Sequence, residues 1–347
     1  MRTLVYRAPG VAEWCTAPDP SPATGMSALV RPVAVATCDF DHLIVAGLVP
    51  TSAPCPLGHE FVGEVVQVGD DVASVAVGDL VLSSFQISCG TCDLCRLGKT
   101  SSCRAVPWLS CFGLGDLSGS WGGAVADLVA IPYADAMLVP LPDGIAPEVA
   151  APVGCNIVDA YRCVAPQLEG RPASPVLIVS GAFANIALYA TGLALALGAS
   201  RVDFFDPDAE IAARAARMGA TLIDDVDDIE AGAYPITVDA SMNEDLLHRA
   251  LAATEAGGEC TVSTMYVEAT TPLPLMTMFE RCLTLHTGQP HARAAIEPVL
   301  DLIASRTYSP MPLVTEVVDW EHAPRAFSAG KGKRIVARAP NRGGVLR

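Results

Sequence analysis

The segment from Cys89 to Cys103, CGTCDLCRLGKTSSC, most strongly constrains how this chain can fold. Three cysteines are separated by two-residue gaps, and a fourth follows after seven further residues. Such short gaps let consecutive thiolates converge on one centre, and glycines at positions 90 and 98 allow the tight turns. Four thiolates around one ion form a closed structural zinc site, because no coordination position is left for a substrate. An iron–sulfur cluster is the alternative, since it uses similar spacings. The cysteines of this segment, here called the cysteine lobe, are Cys89, Cys92, Cys95 and Cys103.

Length and charge limit the kind of protein this chain can be. A chain of 347 residues is too long for one ordinary core and predicts two domains. Half of its residues are hydrophobic (51%), yet no apolar run reaches the length of a membrane span. The net charge of −16 argues against nucleic acid and against anionic membranes as partners. The charge says little more, since many soluble enzymes are acidic.

The N-terminal sequence and the number of cysteines indicate the cellular compartment in which the protein is expected. The opening residues MRTLVYRAPG lack a basic region followed by an apolar stretch, so no secretory signal is visible. The chain has twelve cysteines, including the metal-type cluster. This combination favours the reducing cytoplasm over a disulfide framework.

The first half of the chain is predicted to be rich in β-strands. Short apolar runs at 61–68, 75–82 and 124–131 are separated by Gly, Pro and Asp. The pattern changes near Pro152. From Val176 onward, a strand (VLIV), a helical run at 186–199 and a second strand at 201–205 form a βαβ unit. A helix at 208–219 and further strands continue the alternation, and the segment after His291 returns to mixed character.

A second group of metal-type residues is spread along the chain. Cys38 lies in ATCDFDH, His59 and Glu60 lie in PLGHEFVGE, and Cys155 lies in APVGCNIVDAY. Two thiolates and an imidazole are the ligands of a catalytic zinc with an open fourth position. Taken singly each residue says little, since a lone buried cysteine usually acts as a small hydrophobe.

Together these segments resemble the zinc-dependent medium-chain alcohol dehydrogenase family, within the medium-chain dehydrogenase/reductase superfamily. The resemblance rests on GHE followed by VGEVVQVGDDV and VGDLV, on the cysteine lobe, on WGGAVADLV and on the βαβ unit, and it covers essentially the whole chain. It implies an α/β plus β-rich fold. A GroES-like catalytic domain at 1–155, completed by 291–347, would carry an inserted Rossmann-type NAD-binding domain at 156–290.

The resemblance also assigns roles residue by residue. It implies that Cys38, His59 and Cys155 hold a reactive zinc, and that Glu60 is the glutamate that approaches the metal during exchange of water or substrate. Asp41 matches a carboxylate that orients a ligand. The expected metal content is therefore two zinc ions, one catalytic and one structural in the cysteine lobe.

Position 40 departs from the family pattern. Relatives carry a Ser or Thr hydroxyl there that receives the substrate proton, whereas Phe40 cannot transfer a proton. His42 lies one residue earlier than the usual relay histidine. Either water or His42 moves the proton by another route, or Phe40 walls the pocket and His42 is a surface residue. Trp108 and Trp121 are further candidates for apolar walls.

The dinucleotide loop, VSGAFANIALYA, also departs from its family pattern. A typical fingerprint is G-x-G-x-x-G after a strand and before a helix. Here Ser180, Ala182 and Asn185 fall at the three glycine positions, and the only glycine is Gly181. A helix that begins near Asn185 and continues through Ile186 would still present N–H groups to a phosphate. These residues are the predicted cofactor contacts.

Asp206 ends the second strand of the βαβ unit. A carboxylate there can accept hydrogen bonds from ribose hydroxyls and would repel a 2′-phosphate, a repulsion to which Asp208 adds. NAD is therefore favoured over NADP. The compatible alternative is that both carboxylates cap the helix that follows.

The implied activity is hydride transfer between a nicotinamide ring and the carbon of an alcohol or carbonyl, with zinc as a Lewis acid. An aldehyde dismutase or another medium-chain reductase with an atypical proton relay is an alternative on the same fold. A non-catalytic zinc-binding sensor or scaffold is a further alternative, suggested by Phe40 and the depleted glycines. The resemblance alone implies a homodimer or homotetramer.

Overall fold

The computed structural model describes residues 1–21 and 24–340, which form two compact units. The first comprises Met1–Val158, His291–Ala304 and the chain from Val314 onward, and the second comprises Asp159–Pro290 and Ser305–Leu313. The sequence predicts Ser305–Leu313 in the first domain, whereas this segment lies with the second unit. One contact that holds it there is the hydrogen bond from Nη2 of Arg214 to the carbonyl oxygen of Leu313, at 2.6 Å.

The N-terminal part of the first unit is mainly β-structure. Its central strand β3, ALVRPVAVA, is buried along almost its whole length, as its β-branched valines favour. Pro32 cannot donate to the ladder, and the register with β5 shifts there. The strands are β1 (Arg2–Ala8), β2 (Val11–Thr16), β3 (Ala28–Ala36), β4 (Cys55–Pro56), β5 (Glu60–Val68), β6 (Leu80–Ser83), β7 (Val129–Ile131) and β8 (Leu138–Pro140). The helices are α1 (Asp39–Val45), α2 (Asp93–Arg96), α3 (Ala134–Met137) and α4 (Pro147–Ala150).

The second unit is a parallel sheet with helical connections. Its elements are α5 (Asn156–Gly170, of which the residues from 159 belong here), β9 (Pro175–Ser180), α6 (Ala184–Ala196), β10 (Arg201–Phe205), α7 (Ala209–Arg217), β11 (Thr221–Leu222), β12 (Tyr234–Ala240), α8 (Glu244–Ala253), β13 (Thr254–Val262), α9 (Leu275–Arg281) and β14 (Thr284–His286). The strand order is β11-β10-β9-β12-β13-β14, and every pairing is parallel. The order reverses direction between β9 and β12, and ligands of open parallel sheets bind beyond the carboxyl ends at such a switch point.

The C-terminal part returns to the first unit. It contributes α10 (Ala292–Ala304), β15 (Val314–Asp319), α11 (Ala323–Ser328) and β16 (Lys333–Ala337). β16 pairs antiparallel with β3, so that a sheet forms in the order β15-β16-β3-β5-β6-β8, with β7 also on β3. A separate three-stranded sheet has the order β2-β1-β4. The predicted combination of a β-rich domain with an α/β domain is confirmed.

Two negative observations hold for the described ranges. No helix there is both long and apolar enough to cross a bilayer. No disulfide joins any of the twelve cysteines, all of which lie in those ranges.

The loop between β9 and α6 explains where its single glycine lies. The N–H groups of Ala182 and Phe183 donate to the carbonyl oxygens of Ser241 and Ala240, both at 3.1 Å. A Cβ placed on Gly181 would lie 2.8 Å from the Ser241 oxygen. The loop thus packs against the residues that follow β12, and this backbone approach excludes a side chain at position 181.

We expect Gly181→Ala to lower the free energy of unfolding by about 1–3 kcal/mol, because the added methyl group must displace backbone. Gly170→Ala is the matched control, since nothing lies within 4 Å of a Cβ at that position. It should leave stability unchanged or slightly raised. Urea unfolding followed by circular dichroism measures both variants. Equal stability of the two variants would contradict this packing.

Candidate functional site

Cys38 is fixed at the N-terminal end of α1 by its own local sequence. Its backbone N–H donates to Oδ2 of Asp41 at 2.9 Å, so the carboxylate three residues later caps the helix start. Both residues are buried, with exposures of 3% and 0%. The CDFD sequence therefore holds the sulfur and a carboxylate on the same side of the first turn.

His59 lies beside that carboxylate. Its Nδ1 is 3.5 Å from Oδ1 of Asp41, and neither of these two buried atoms has a hydrogen-bond partner. Because Nδ1 faces Asp41, Nε2 is the nitrogen available to a metal ion. Carboxylate–histidine pairs of this kind orient metal ligands and raise their basicity. The placement agrees with the role that the family resemblance implied for Asp41.

Cys155 completes this group. It follows a short 3-10 turn, Ala151–Gly154, and precedes α5. The turn packs closely on β6, since a Cβ at Gly154 would lie 2.8 Å from the carbonyl oxygen of Ser83. We call the resulting group of residues the Cys38 site. Each member offers one ligand atom, and these ligand atoms all lie within 4.8 Å of one another. All members are buried. Its members are Cys38, His59, Glu60 and Cys155.

The electrostatics of the Cys38 site suit a divalent ion. Interaction with Cys155 and with His59 lowers the pKa of the Cys38 thiol well below its usual range, although burial opposes this. Burial alone would lower the pKa of His59, but Asp41 and Cys38 raise it above its ordinary value. Thiolate, imidazole and carboxylate are the ligands that zinc takes in proteins. The residues present therefore fit a zinc ion.

Glu60 is bound by two groups that no sequence motif predicts. Its Oε1 accepts from the backbone N–H of Asn156 at 3.1 Å, and its Oε2 accepts from the ammonium of Lys333. Lys333 is fully buried. Burial raises the pKa of Glu60 to about 8, although the Lys333 charge acts in the opposite direction. The one sequence signal for Asn156 was a polar residue directly after Cys155, in an otherwise apolar stretch.

The residues predicted as pocket walls differ in burial, and the residue predicted as a proton relay contacts backbone. Phe40 is buried, with an exposure of 6%, whereas Trp108 is a surface side chain with an exposure of 72%. His42 is half-buried, and its Nδ1 and Nε2 lie 3.4 Å and 3.2 Å from the carbonyl oxygens of Phe327 and Gly332. Both of its ring nitrogens therefore face backbone rather than the Cys38 site.

The cysteine lobe forms a second metal-type group. The sulfur atoms of its four cysteines all lie within 4.8 Å of one another. Backbone N–H groups point at these sulfurs, from Cys92 to Cys89 at 3.4 Å and from Cys95 to Cys92 at 3.5 Å. A tetrahedral zinc with bonds of about 2.3 Å places its sulfurs about 3.8 Å apart. The compact spacing suits a single ion, while a multi-iron cluster spreads its thiolates more widely.

The predicted cofactor residues lie at the switch point of the second unit. Ser180 is the last residue of β9, and Gly181 and Ala182 form the loop described above. α6 begins at Ala184, one residue before the predicted start, and buries Asn185 and Ile186 in its first turn. The first N–H groups of a helix have no partner within it and can bind an anion. This edge is compatible with a dinucleotide phosphate.

The two aspartates after β10 both take part in the start of α7. Oδ1 of Asp206 accepts from the N–H of Asp208 at 2.7 Å, and Asp208 caps α7 by accepting from Glu210 at 3.0 Å. The capping alternative is confirmed for Asp208, whereas Asp206 makes a turn contact to the N-cap residue. It does not conflict with a ribose contact, because a carboxylate accepts several hydrogen bonds.

Comparison with known proteins identifies relatives of this arrangement. Residues 25–143 match the alcohol dehydrogenase GroES-like domain. A probable zinc-binding alcohol dehydrogenase of Mycobacterium tuberculosis is 28% identical over 340 residues, which cover 96% of this chain and 86% of that protein. A glutathione-independent formaldehyde dehydrogenase of Pseudomonas aeruginosa is 33% identical over 151 residues, which cover 41% of this chain and 38% of that protein.

A solved structure matches almost the entire chain. The alcohol dehydrogenase of Thermus sp. ATN1 superimposes with a TM-score of 0.89 at 28% identity, covering 97% of this chain and 99% of that one. The shared fold, the matched domain and the two metal-type groups point in the same direction. They support the zinc-dependent medium-chain dehydrogenase family as the one that this chain most resembles in sequence, fold and candidate metal ligands.

Proposed function

We propose that this protein is a zinc-dependent, NAD-linked oxidoreductase that interconverts an alcohol with an aldehyde or ketone. The observation that carries the proposal is the Cys38 site, where two thiolates, an imidazole and a carboxylate lie within 4.8 Å of one another and are all buried. Three ligands plus one exchangeable position is the pattern of a catalytic rather than a structural zinc. Its relatives include dehydrogenases of alcohols and of formaldehyde, which supports a small alcohol or carbonyl substrate.

When bound, zinc supplies Lewis-acid polarisation of the substrate oxygen and NAD accepts the hydride. The chain itself supplies orientation. Oδ1 of Asp41 lies 3.5 Å from Nδ1 of His59, so the carboxylate faces that side of the imidazole and leaves Nε2 as the nitrogen for the metal. The backbone of Asn156 and the ammonium of Lys333 hold the carboxylate of Glu60 at the edge of the metal position.

The substrate pocket is predicted to be apolar beside the Cys38 site. Phe40 is buried directly after the Cys38–Asp39 pair, and the ring of Phe85 lies 5.7 Å from that of His59. Phe40 has no exchangeable proton, so the proton released by an alcohol leaves without using residue 40. An apolar alcohol or aldehyde is the preferred substrate class, with Phe40 and Phe85 as the proposed apolar walls.

We predict that Cys38→Ser leaves the protein folded but lowers turnover by roughly 10³-fold or more, since a Lewis-acid zinc supplies several kcal/mol. Cys92→Ser, in the cysteine lobe, should instead lower the free energy of unfolding by at least ~3 kcal/mol, because a structural zinc stabilises the fold. Turnover and thermal unfolding are measured for both variants. If the two behave alike, the division into a reactive and a structural site is wrong.

Metal analysis and cofactor titration distinguish an enzyme from a scaffold. We expect two zinc ions per chain and saturable quenching or enhancement of NADH fluorescence. Dialysis against a chelator should remove the ion of the Cys38 site first, because an open coordination position gives the chelator access. Turnover of simple alcohols, followed at the NADH absorbance band, should fall in parallel. Intact structural zinc with no NADH binding would favour the non-catalytic alternative.

Asp206→Asn tests the preference for NAD over NADP. The amide keeps the oxygen that accepts from Asp208 but removes the charge that would repel a 2′-phosphate. We expect the ratio of NADPH to NADH affinity to rise roughly tenfold, as removal of ~1.4 kcal/mol of repulsion implies. Asp225→Asn is the control, because Asp225 makes the same kind of turn contact, to Asp227 at 2.9 Å. An unchanged ratio in Asp206→Asn would remove the basis for the NAD assignment.

A further inference from the structure

Asn156 is a fully buried amide at the start of α5, and each of its polar groups has a partner. Its backbone N–H donates to Oε1 of Glu60 at 3.1 Å. Its Oδ1 accepts from Nζ of Lys333 at 2.8 Å, and its Nδ2 donates to Sγ of Cys38 at 3.1 Å. Sγ of Cys155 lies 3.8 Å from the same nitrogen. One side chain therefore contacts both thiolates and the ammonium that holds the carboxylate.

The orientation of this amide is determined by its neighbours. A lysine ammonium has only donors, so the atom of Asn156 that faces Lys333 must be the oxygen. The NH₂ group then faces Cys38, whose sulfur is the acceptor. A fully satisfied polar network in the interior is rigid, and it resists rearrangement because each broken contact leaves a buried group without a partner. The sulfur of Cys38 is thus held by a donor that cannot turn away.

We propose that Asn156 is a positioning residue for the metal, which fixes the Cys38 sulfur and sets how much negative charge that sulfur gives to the ion. A hydrogen bond to a thiolate withdraws charge from it, so the ion keeps more of its own positive charge and polarises a substrate oxygen more strongly. The inference rests on the proposed function, because it concerns the ion of the Cys38 site. The two can nevertheless fail separately.

The test uses the full-length protein loaded with cadmium-113 in place of zinc and observed by NMR. The Cys38 site and the cysteine lobe have different numbers of sulfur ligands, so each gives its own cadmium resonance.

Three variants are compared. Asn156→Ala removes the hydrogen-bond donor to the Cys38 sulfur. Asn156→Asp places an acceptor oxygen in its position and keeps a partner for Lys333, which separates loss of the donor from loss of the Lys333 contact. Thr91→Ala is the matched control, because Oγ1 of Thr91 donates to Sγ of Cys89 in the cysteine lobe at 3.6 Å.

In both Asn156 variants we expect the resonance of the Cys38 site to move while that of the cysteine lobe stays. Thr91→Ala should do the reverse. Metal affinity at the Cys38 site should fall about 10–100-fold, the usual effect of removing a partner of a metal ligand. With zinc bound, kcat should fall more than KM rises, since the contact acts on the reacting centre.

Three results would overturn the inference. The first is an unmoved resonance of the Cys38 site in a folded, loaded variant, and the second is an equal shift from Thr91→Ala. The third is unfolding of both Asn156 variants, which would assign the residue to the fold rather than to the metal. Failure of the unaltered protein to bind metal at the Cys38 site would instead overturn the proposed function, and the inference with it, before any variant is made.

Discussion

The structure of the first unit depends on how it compensates buried negative charge. Four groups that can carry a negative charge lie together at the Cys38 site and its edge, each at most 8% exposed: Cys38, Asp41, Glu60 and Cys155. Lys333 is the buried ammonium beside them. Burying charges costs several kcal/mol per ion unless they are paired or neutralised by protonation, and Lys333 together with the raised pKa values of His59 and Glu60 offsets part of that cost. The divalent cation that we propose among the thiolates and His59 would offset the remainder.

The same constraint accounts for the connectivity of the fold. Residues distant in sequence must meet within one small volume, and the chain achieves this by returning to the first unit after the parallel sheet. β16 pairs with β3 and thereby places Lys333 beside Glu60, 273 residues away in sequence. The start of α5 places Asn156 next to Cys38, 118 residues away. The members of the Cys38 site and their partners thus come from the helix start at Cys38, the GHE segment and the two segments that close the unit.

Local features of the site were predictable from sequence, whereas its long-range partners were not. The spacing of the cysteine lobe and the GHE segment pointed directly to groups that the structure brings together, and the strand at Arg201–Phe205 was predicted with the bounds that it has. The strand predicted at 75–82 is shorter, Leu80–Ser83, since apolar composition alone does not fix where pairing with β5 begins. Asn156 and Lys333 could not be predicted, because their contacts with Cys38 and Glu60 are tertiary and carry no periodic pattern. The position of the one glycine in the loop between β9 and α6 could not be predicted, because it depends on the close tertiary approach of the Ser241 carbonyl oxygen to Gly181.

The most direct test of the account is an anomalous difference map from crystals of the protein, measured at the zinc absorption edge. The account predicts two peaks, one inside the cysteine lobe and one bounded by the sulfurs of Cys38 and Cys155 and Nε2 of His59. A strong peak in the cysteine lobe with none at the Cys38 site, in protein purified with zinc present, would contradict it.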